Sequence, residues 1–198
     1  MIRNHFDDEC VDRFCKLIEP RVEIIKHNSK PSALFQDMFF SEWEKFVSID
    51  YLPDENLDTN LIGKFNTFAG APVDKLMDTL AVDIKKMYPN SDIIKSGSLY
   101  YPKGGFMGWH TNSNQPCTRI YVTYASESNK SFFRYCENGE EVTDYDDKGI
   151  TVREFTIPED GYFWHCVGSD CDRISFGFRV CQLYNCHKGG WPYTDKMA

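Results

Sequence analysis

Near residue 92 the hydrophobic pattern of this chain changes its period, and that switch constrains the fold more than any other feature. Before it, apolar residues recur at helical spacing. Val11, Phe14, Cys15, Leu17 and Ile18 share one face of the segment from Asp8 to Ile18. Val73, Leu76, Met77, Leu80, Ile84 and Met87 form a second stripe within Pro72 to Met87. Pro72 suits the first helical position, and Tyr88-Pro89-Asn90-Ser91 ends the run. Between them, from about 20 to 70, short apolar runs such as Leu34-Phe35 and Met38-Phe39-Phe40 alternate with polar, Pro-containing stretches. This region predicts mixed strands and loops covering one side of the core.

After residue 92, runs rich in β-formers are separated by turn residues. Ser98 to Tyr101 precedes the turn Pro102-Lys103-Gly104-Gly105; Arg119 to Tyr124, Ser131 to Tyr135, Thr151 to Ile157, Tyr162 to Val167 and Ile174 to Leu183 follow. Asn138-Gly139 is a hairpin-turn signal without an evident partner strand, and Glu159-Asp160-Gly161 marks a tight turn. Two helices followed by about seven short strands predict a mainly β sandwich or barrel with flanking helices. The length of 198 residues fits a single domain, 1–198, with 1–91 as helical, mixed support and 92–185 as the β core.

With 41% hydrophobic and 15% aromatic residues, the chain has the material for a packed core. No apolar run reaches the roughly 18 residues needed to span a membrane. The N-terminus lacks the apolar segment of a signal peptide, so the chain reads as intracellular, cytoplasmic, with no membrane partner. Its eight cysteines then read as reduced thiols; Cys166, Cys171, Cys181 and Cys186, with His187, offer a zinc alternative at the edge of the usual ligand spacing. A net charge of −8 disfavours nucleic acid as a partner. The acidic residues Glu140, Glu141, Asp144, Asp146 and Asp147 read as solvated surface, or as an entrance favouring a neutral or basic substrate such as a protein side chain.

Two short segments carry chemistry. In Gly108-Trp109-His110-Thr111-Asn112, residues i and i+2 of a strand share a face, so His110 and Asn112 point the same way. His165 follows Tyr162-Phe163-Trp164 on a later strand and can complete a metal site with them. Imidazole nitrogens with one hard oxygen donor and open positions suit Fe(II) oxygen chemistry. An amide oxygen is a weaker donor than a carboxylate for such an ion, so three outcomes stay open at Asn112: weak coordination, replacement by water, or loss of the metal. Deamidation at Asn112-Ser113, which would regenerate an aspartate, is a further minor possibility. Trp109, Phe163 and Trp164 are candidates for cavity wall or core.

The run Arg173-Ile174-Ser175-Phe176-Gly177-Phe178-Arg179-Val180 alternates strictly. Ile174, Phe176, Phe178 and Val180 form an apolar face; Arg173, Ser175, Gly177 and Arg179 form the other. Arginines on an inner face call for an anion, and a guanidinium fork with a serine hydroxyl suits a carboxylate. Gly177 leaves room for a ligand to approach the backbone.

With these residues, the chain over about 97 to 183 resembles the Fe(II)/2-oxoglutarate-dependent dioxygenase superfamily. The resemblance implies a double-stranded β-helix (jelly-roll, cupin-like) core. It implies His110, Asn112 and His165 at the metal positions, with Asn112 in place of the family's Asp or Glu. Arg173 and Ser175 would then hold the C5 carboxylate of 2-oxoglutarate, Tyr101 would contact the co-substrate, and Arg179 resembles a second arginine found in one branch of the family. The activity implied is hydroxylation of a substrate by O2, coupled to conversion of 2-oxoglutarate to succinate and CO2, with Fe(II) as the metal. Two alternatives accompany it: a catalytically silent binding protein on the same fold, and a halogenase-type variant in which a lost carboxylate frees a metal position.

Overall fold

The computed structural model describes residues 2, 6–31, 43–52, 69–70, 73–113 and 115–182. Leu34-Phe35, Met38 to Phe40, Pro72, Leu183, Cys186 and His187 lie outside the described residues. In chain order the elements are α1 (Asp8–Ile18), α2 (Val22–Asn28), β1 (Lys30–Pro31), α3 (Trp43–Phe46), β2 (Ala69–Gly70) and α4 (Asp74–Met87). The strands β3 (Ser91–Tyr101), β4 (Gly105–His110), β5 (Cys117–Ala125), β6 (Ser131–Glu137), β7 (Glu140–Tyr145), β8 (Gly149–Ile157), β9 (His165–Ser169) and β10 (Arg173–Gln182) follow. The change of period therefore falls at the boundary between α4 and β3. Helix α2 corrects the expectation of strands and loops after residue 20: the 3-10 turn Glu19–Arg21 carries α1 into a further helical segment that buries Val22 and Ile25.

The strands form two antiparallel sheets, β1-β2-β3-β10-β5-β8 and β4-β9-β6-β7. From β3 onward the chain changes sheet at every connection except β6–β7, which gives a jelly roll, a double-stranded β-helix, with flanking helices. The exception is the hairpin at Asn138-Gly139. Glu137 pairs with Glu140, and the two turn residues take φ of 54° and 80°, the positive values of a type I′ turn. The partner strand, β7, is missing from the sequence-derived strands. Its charged residues read as loop, because it is an edge strand with one solvated face.

Three apolar clusters hold the layers. On the outer face of the larger sheet, Phe14 and Ile18 of α1, Val22 and Ile25 of α2, and Leu80 and Ile84 of α4 pack against β5, β8 and β10. The apolar face of β10 (Ile174, Phe176, Phe178, Val180) lies in this layer, so its other face turns inward. Helix α1 is capped by Asp7, whose carboxylate accepts the Cys10 N–H at 2.8 Å. On the outer face of the smaller sheet, Trp43, Phe46 and Val47 cover Phe106, Trp109, Phe132, Trp164 and Cys166. Gly168 makes this possible: a Cβ there would lie 2.2 Å from the Trp43 ring and 2.6 Å from the Phe132 ring. Between the sheets sit Tyr101, Met107, Phe133, Tyr135, Phe155, Ile157 and Val167.

Candidate metal centre

The site lies between the sheets, where β4 and β9 of the smaller sheet face β10, β5 and β3 of the larger. His110 ends β4 and His165 opens β9, and the two are directly paired. Strand β4 reaches that pairing through a bulge. Met107 pairs with Val167 and His110 with His165, so β4 carries one more residue than its partner between the two pairs. Simple alternation would put His110 on the side of Phe106, which packs outward against Phe46. The extra residue instead turns His110 inward with Met107, while Trp109 packs outward and donates from Nε1 to the Ser48 carbonyl at 2.8 Å.

The imidazole rings of His110 and His165 have centroids 4.1 Å apart, tilted by 54°. Each ring is oriented by its own strand: Nδ1 of His110 lies 2.8 Å from the Gly108 carbonyl, and Nδ1 of His165 lies 2.9 Å from that of Phe163. A carbonyl only accepts, so both Nδ1 atoms carry the proton and both Nε2 atoms present a lone pair. Burial pushes the His110 pKa down to about 4, against the raising effect of the Gly108 bond and with help from the Arg119 charge. Burial likewise holds His165 well below the ordinary value, reinforced by His110. Both are neutral at physiological pH, the state a metal ligand requires. Phe133 stacks on His165 at 5.3 Å, and Phe163 and Phe155 pack at 5.5 Å.

Asn112 joins the pair by a different route from the one the i, i+2 spacing predicts. β4 ends at His110, and Asn112 has φ of 55°, a left-handed conformation that Asn tolerates better than most residues. That local turn brings its amide Nδ2 to donate to Nε2 of His165 at 3.1 Å. The donor set is thus two neutral imidazoles and one amide, which fits a late first-row divalent ion better than an all-oxygen cation. Among the described residues no third His, Cys, Asp or Glu joins them. Cys166 and Cys181, considered above with zinc, lie on different sheets.

A cavity of about 210 Å³ opens beside the pair, lined by Tyr101, Asn112, Arg119, Tyr121 and Ser175 among others. At about 30 Å³ per water this is the room of roughly seven waters, enough for a small organic acid. Trp109 and Trp164 are not in its wall but in the outer aromatic layer; Phe163 packs against Tyr135, Phe155 and His165. The space left by Gly177 is taken by the Ser96 hydroxyl and the Tyr121 ring, at 2.7 and 3.2 Å from where a Cβ would stand.

Arg173 lies one layer deeper than the cavity lining, its guanidinium 5.2 Å from the centre of the Tyr101 ring. Its Nε donates to Asp146 at 2.9 Å and its Nη2 to Thr123 at 3.4 Å, while Nη1 has no partner among the described residues. Asp146 is 1% exposed and also accepts from Ser131 and Arg153. This corrects its reading as solvated surface or entrance. Burial pushes the Asp146 carboxyl up, but the Arg173 and Arg153 charges and the Ser131 hydroxyl overcome it and hold the group well below the usual carboxylate range. Tyr101 is fully enclosed, and burial pushes its phenol up. Ser175 faces the cavity, and Arg179 pairs across the sheet with Arg119, a buried cavity residue that sequence reasoning did not single out. The alternation of Arg119-Ile120-Tyr121-Val122-Thr123 is the signal that places it on the inner face.

No family model matches the chain, and no curated protein matches it. Among solved structures it is similar to a Pseudomonas putida prolyl-4-hydroxylase (15% identity, 91% of each chain covered, TM-score 0.48). It is also similar to a Trichoplax adhaerens prolyl hydroxylase in complex with a hypoxia inducible factor peptide fragment (12% identity, 92% of this chain and 83% of that one, TM-score 0.45). A third is a 2OG-Fe(II) oxygenase family oxidoreductase from Burkholderia pseudomallei (9% identity, 90% and 92%, TM-score 0.42). Among the described residues, no helix is long and apolar enough to cross a membrane.

Proposed function

We propose that the protein is an Fe(II)- and 2-oxoglutarate-dependent oxygenase that hydroxylates an organic substrate. The observation that carries this reading is the convergence of two buried, neutral imidazoles, each fixed through Nδ1, with a third donor residue at a cavity inside a jelly roll. A ligating histidine is typically held in this way by a bond from its other ring nitrogen. His110 and His165 would hold the ion through Nε2, and rotation of the Asn112 amide would offer Oδ1 in place of Nδ2. Bound iron would supply the activation of O2 that hydroxylation of an unreactive carbon requires.

The protein's own contribution is position and exclusion of water. Ser175 and Tyr101 line the space beside the histidines, and the unpartnered Nη1 of Arg173 supports a distal carboxylate at this end of the cavity. Asp146 fixes the guanidinium through Nε, Thr123 accepts from Nη2, and Nη1 is left for the ligand. The rings of Phe133, Phe155 and Phe163 around His165 keep one side of the site dry.

The test is anaerobic titration of the metal-free protein with Fe(II), alone and with 2-oxoglutarate, followed by the visible charge-transfer band of the ternary complex. A band lost in His165→Ala and in Arg173→Gln is expected. Absence of both the band and any Fe(II) affinity would rule the oxygenase out. A second reading, a binding protein without turnover, is favoured by one observation: a neutral amide stands at residue 112 and donates to His165. Tight 2-oxoglutarate binding without succinate formation would select it.

A further inference from the structure

Three guanidinium nitrogens on the inner face of the larger sheet have no partner among the described residues: Nη1 of Arg173, Nε of Arg119 and Nε of Arg179. The first lies behind the cavity lining, over the Tyr101 ring. The other two belong together. Arg119 on β5 and Arg179 on β10 are directly paired across the sheet, six residues along β10 from Arg173 and so roughly 20 Å away at the rise of a strand. Like charges directly opposite on a sheet repel. A protein with a net charge of −8 has acids to spare for neutralising such a pair, yet no ion pair to either arginine is formed among the described residues.

Arg119 is 3% exposed, and its guanidinium makes one hydrogen bond among the described residues, from Nη2 to the Gln115 side chain at 3.2 Å. It lines the cavity together with His110, His165 and Asn112, and among the described residues that lining contains no Asp or Glu. Three of the five acidic side chains that pointed to a basic substrate are used elsewhere: Glu141 pairs with Arg134 at 3.1 Å, and Asp144 and Asp146 with Arg153. A buried cation without a partner is costly, and a planar oxyanion is the ligand that satisfies a guanidinium edge.

We propose that Arg119, with Arg179 beside it, forms an oxyanion position next to the histidine pair that receives the carboxylate of a small-molecule acid. It rests on the reading of this cavity as the ligand site. The acid is the substrate and not the oxo acid, whose distal carboxylate is assigned to Arg173 above, and competition tests this.

The experiment uses the full chain, metal-free and Mn(II)-loaded, with butyrate as a carboxylate that cannot chelate the metal through an oxo group and butyramide as its uncharged control. Calorimetry is expected to show butyrate binding, absence of butyramide binding, and at least tenfold weaker butyrate binding in Arg119→Gln, partly recovered in Arg119→Lys. Arg179→Gln, altered at the more exposed partner, weakens binding to a smaller degree and serves where Arg119→Gln fails to fold. Butyrate that still binds under saturating 2-oxoglutarate identifies a substrate position; displacement by 2-oxoglutarate overturns it. Equal butyrate affinity in wild type and both glutamine variants overturns the proposal. Mn(II) affinity on the same samples separates the two readings. Butyrate binding without Mn(II) binding removes the oxygenase and keeps the oxyanion position, whereas Mn(II) binding with butyrate indifferent to both arginines does the reverse.

Discussion

The Asn112 amide donates to Nε2 of His165 at 3.1 Å, using the same lone pair that His165 would give to a metal. Ion and amide therefore compete for one nitrogen unless the amide turns over. Replacing Asn112 by Asp removes the donor and adds a charged oxygen. We expect Asn112→Asp to raise Mn(II) affinity by about tenfold or more, about 1.4 kcal/mol. Calorimetric titration checks this, and an unchanged affinity would place residue 112 outside the coordination sphere.

Metal-free protein should lose stability as pH falls from about 6.5. In the unfolded chain an imidazole takes its proton near pH 6.5, whereas His110 resists to about 4. In that window the unfolded state binds more protons, so stability falls with falling pH, by about 3 kcal/mol for His110 alone, with His165 acting in the same direction. Urea midpoints with chelator between pH 6.5 and 5, where free carboxylates stay ionised, measure the slope. In His110→Asn it should be markedly flatter.

Asp146→Asn leaves Arg173 and Arg153 buried without their shared counter-charge. The expected loss is about 3–5 kcal/mol in urea unfolding, a large share of a typical stability. The Asp146 pKa is depressed in the fold, so its contribution is present above the unfolded value near 3.9 and is lost as pH falls below it. Wild type should therefore show an acid-induced loss below about pH 4 that the variant lacks.

Gly168→Ala pushes a methyl group into the Trp43 and Phe132 rings. Overpacking of this kind costs about 1–3 kcal/mol. Because Gly168 lies on the far side of the smaller sheet from the cavity, Mn(II) affinity should stay near wild type while the thermal midpoint drops.

What could be read from the sequence follows from the range of the interactions involved. The stripe Leu76, Met77, Leu80, Ile84 and the alternation of Arg173 to Val180 are local periodicities, and both elements form with those faces buried. Asn138-Gly139 encodes its own turn. Asp146 could not be read locally: its burial depends on Ser131, Arg153 and Arg173 arriving from three strands, β6, β8 and β10. In sequence it is one acid among several in Asp144-Tyr145-Asp146-Asp147. Arg119 is similar, since its inward face is legible but its pairing with Arg179 is a matter of strand register. Asn112 reached the site through a positive φ that strand alternation does not anticipate.

The extra residue between Met107 and His110 works like a shift of reading frame written into β4. Upstream of it, alternation serves the packing of Phe106 against Phe46; downstream, it serves the histidine pair. Forcing β4 into an unbroken alternation at its present length would turn His110 into the aromatic layer of Trp43 and Phe46. The sheet would gain regularity, and the chain would keep its fold while losing half of its histidine pair.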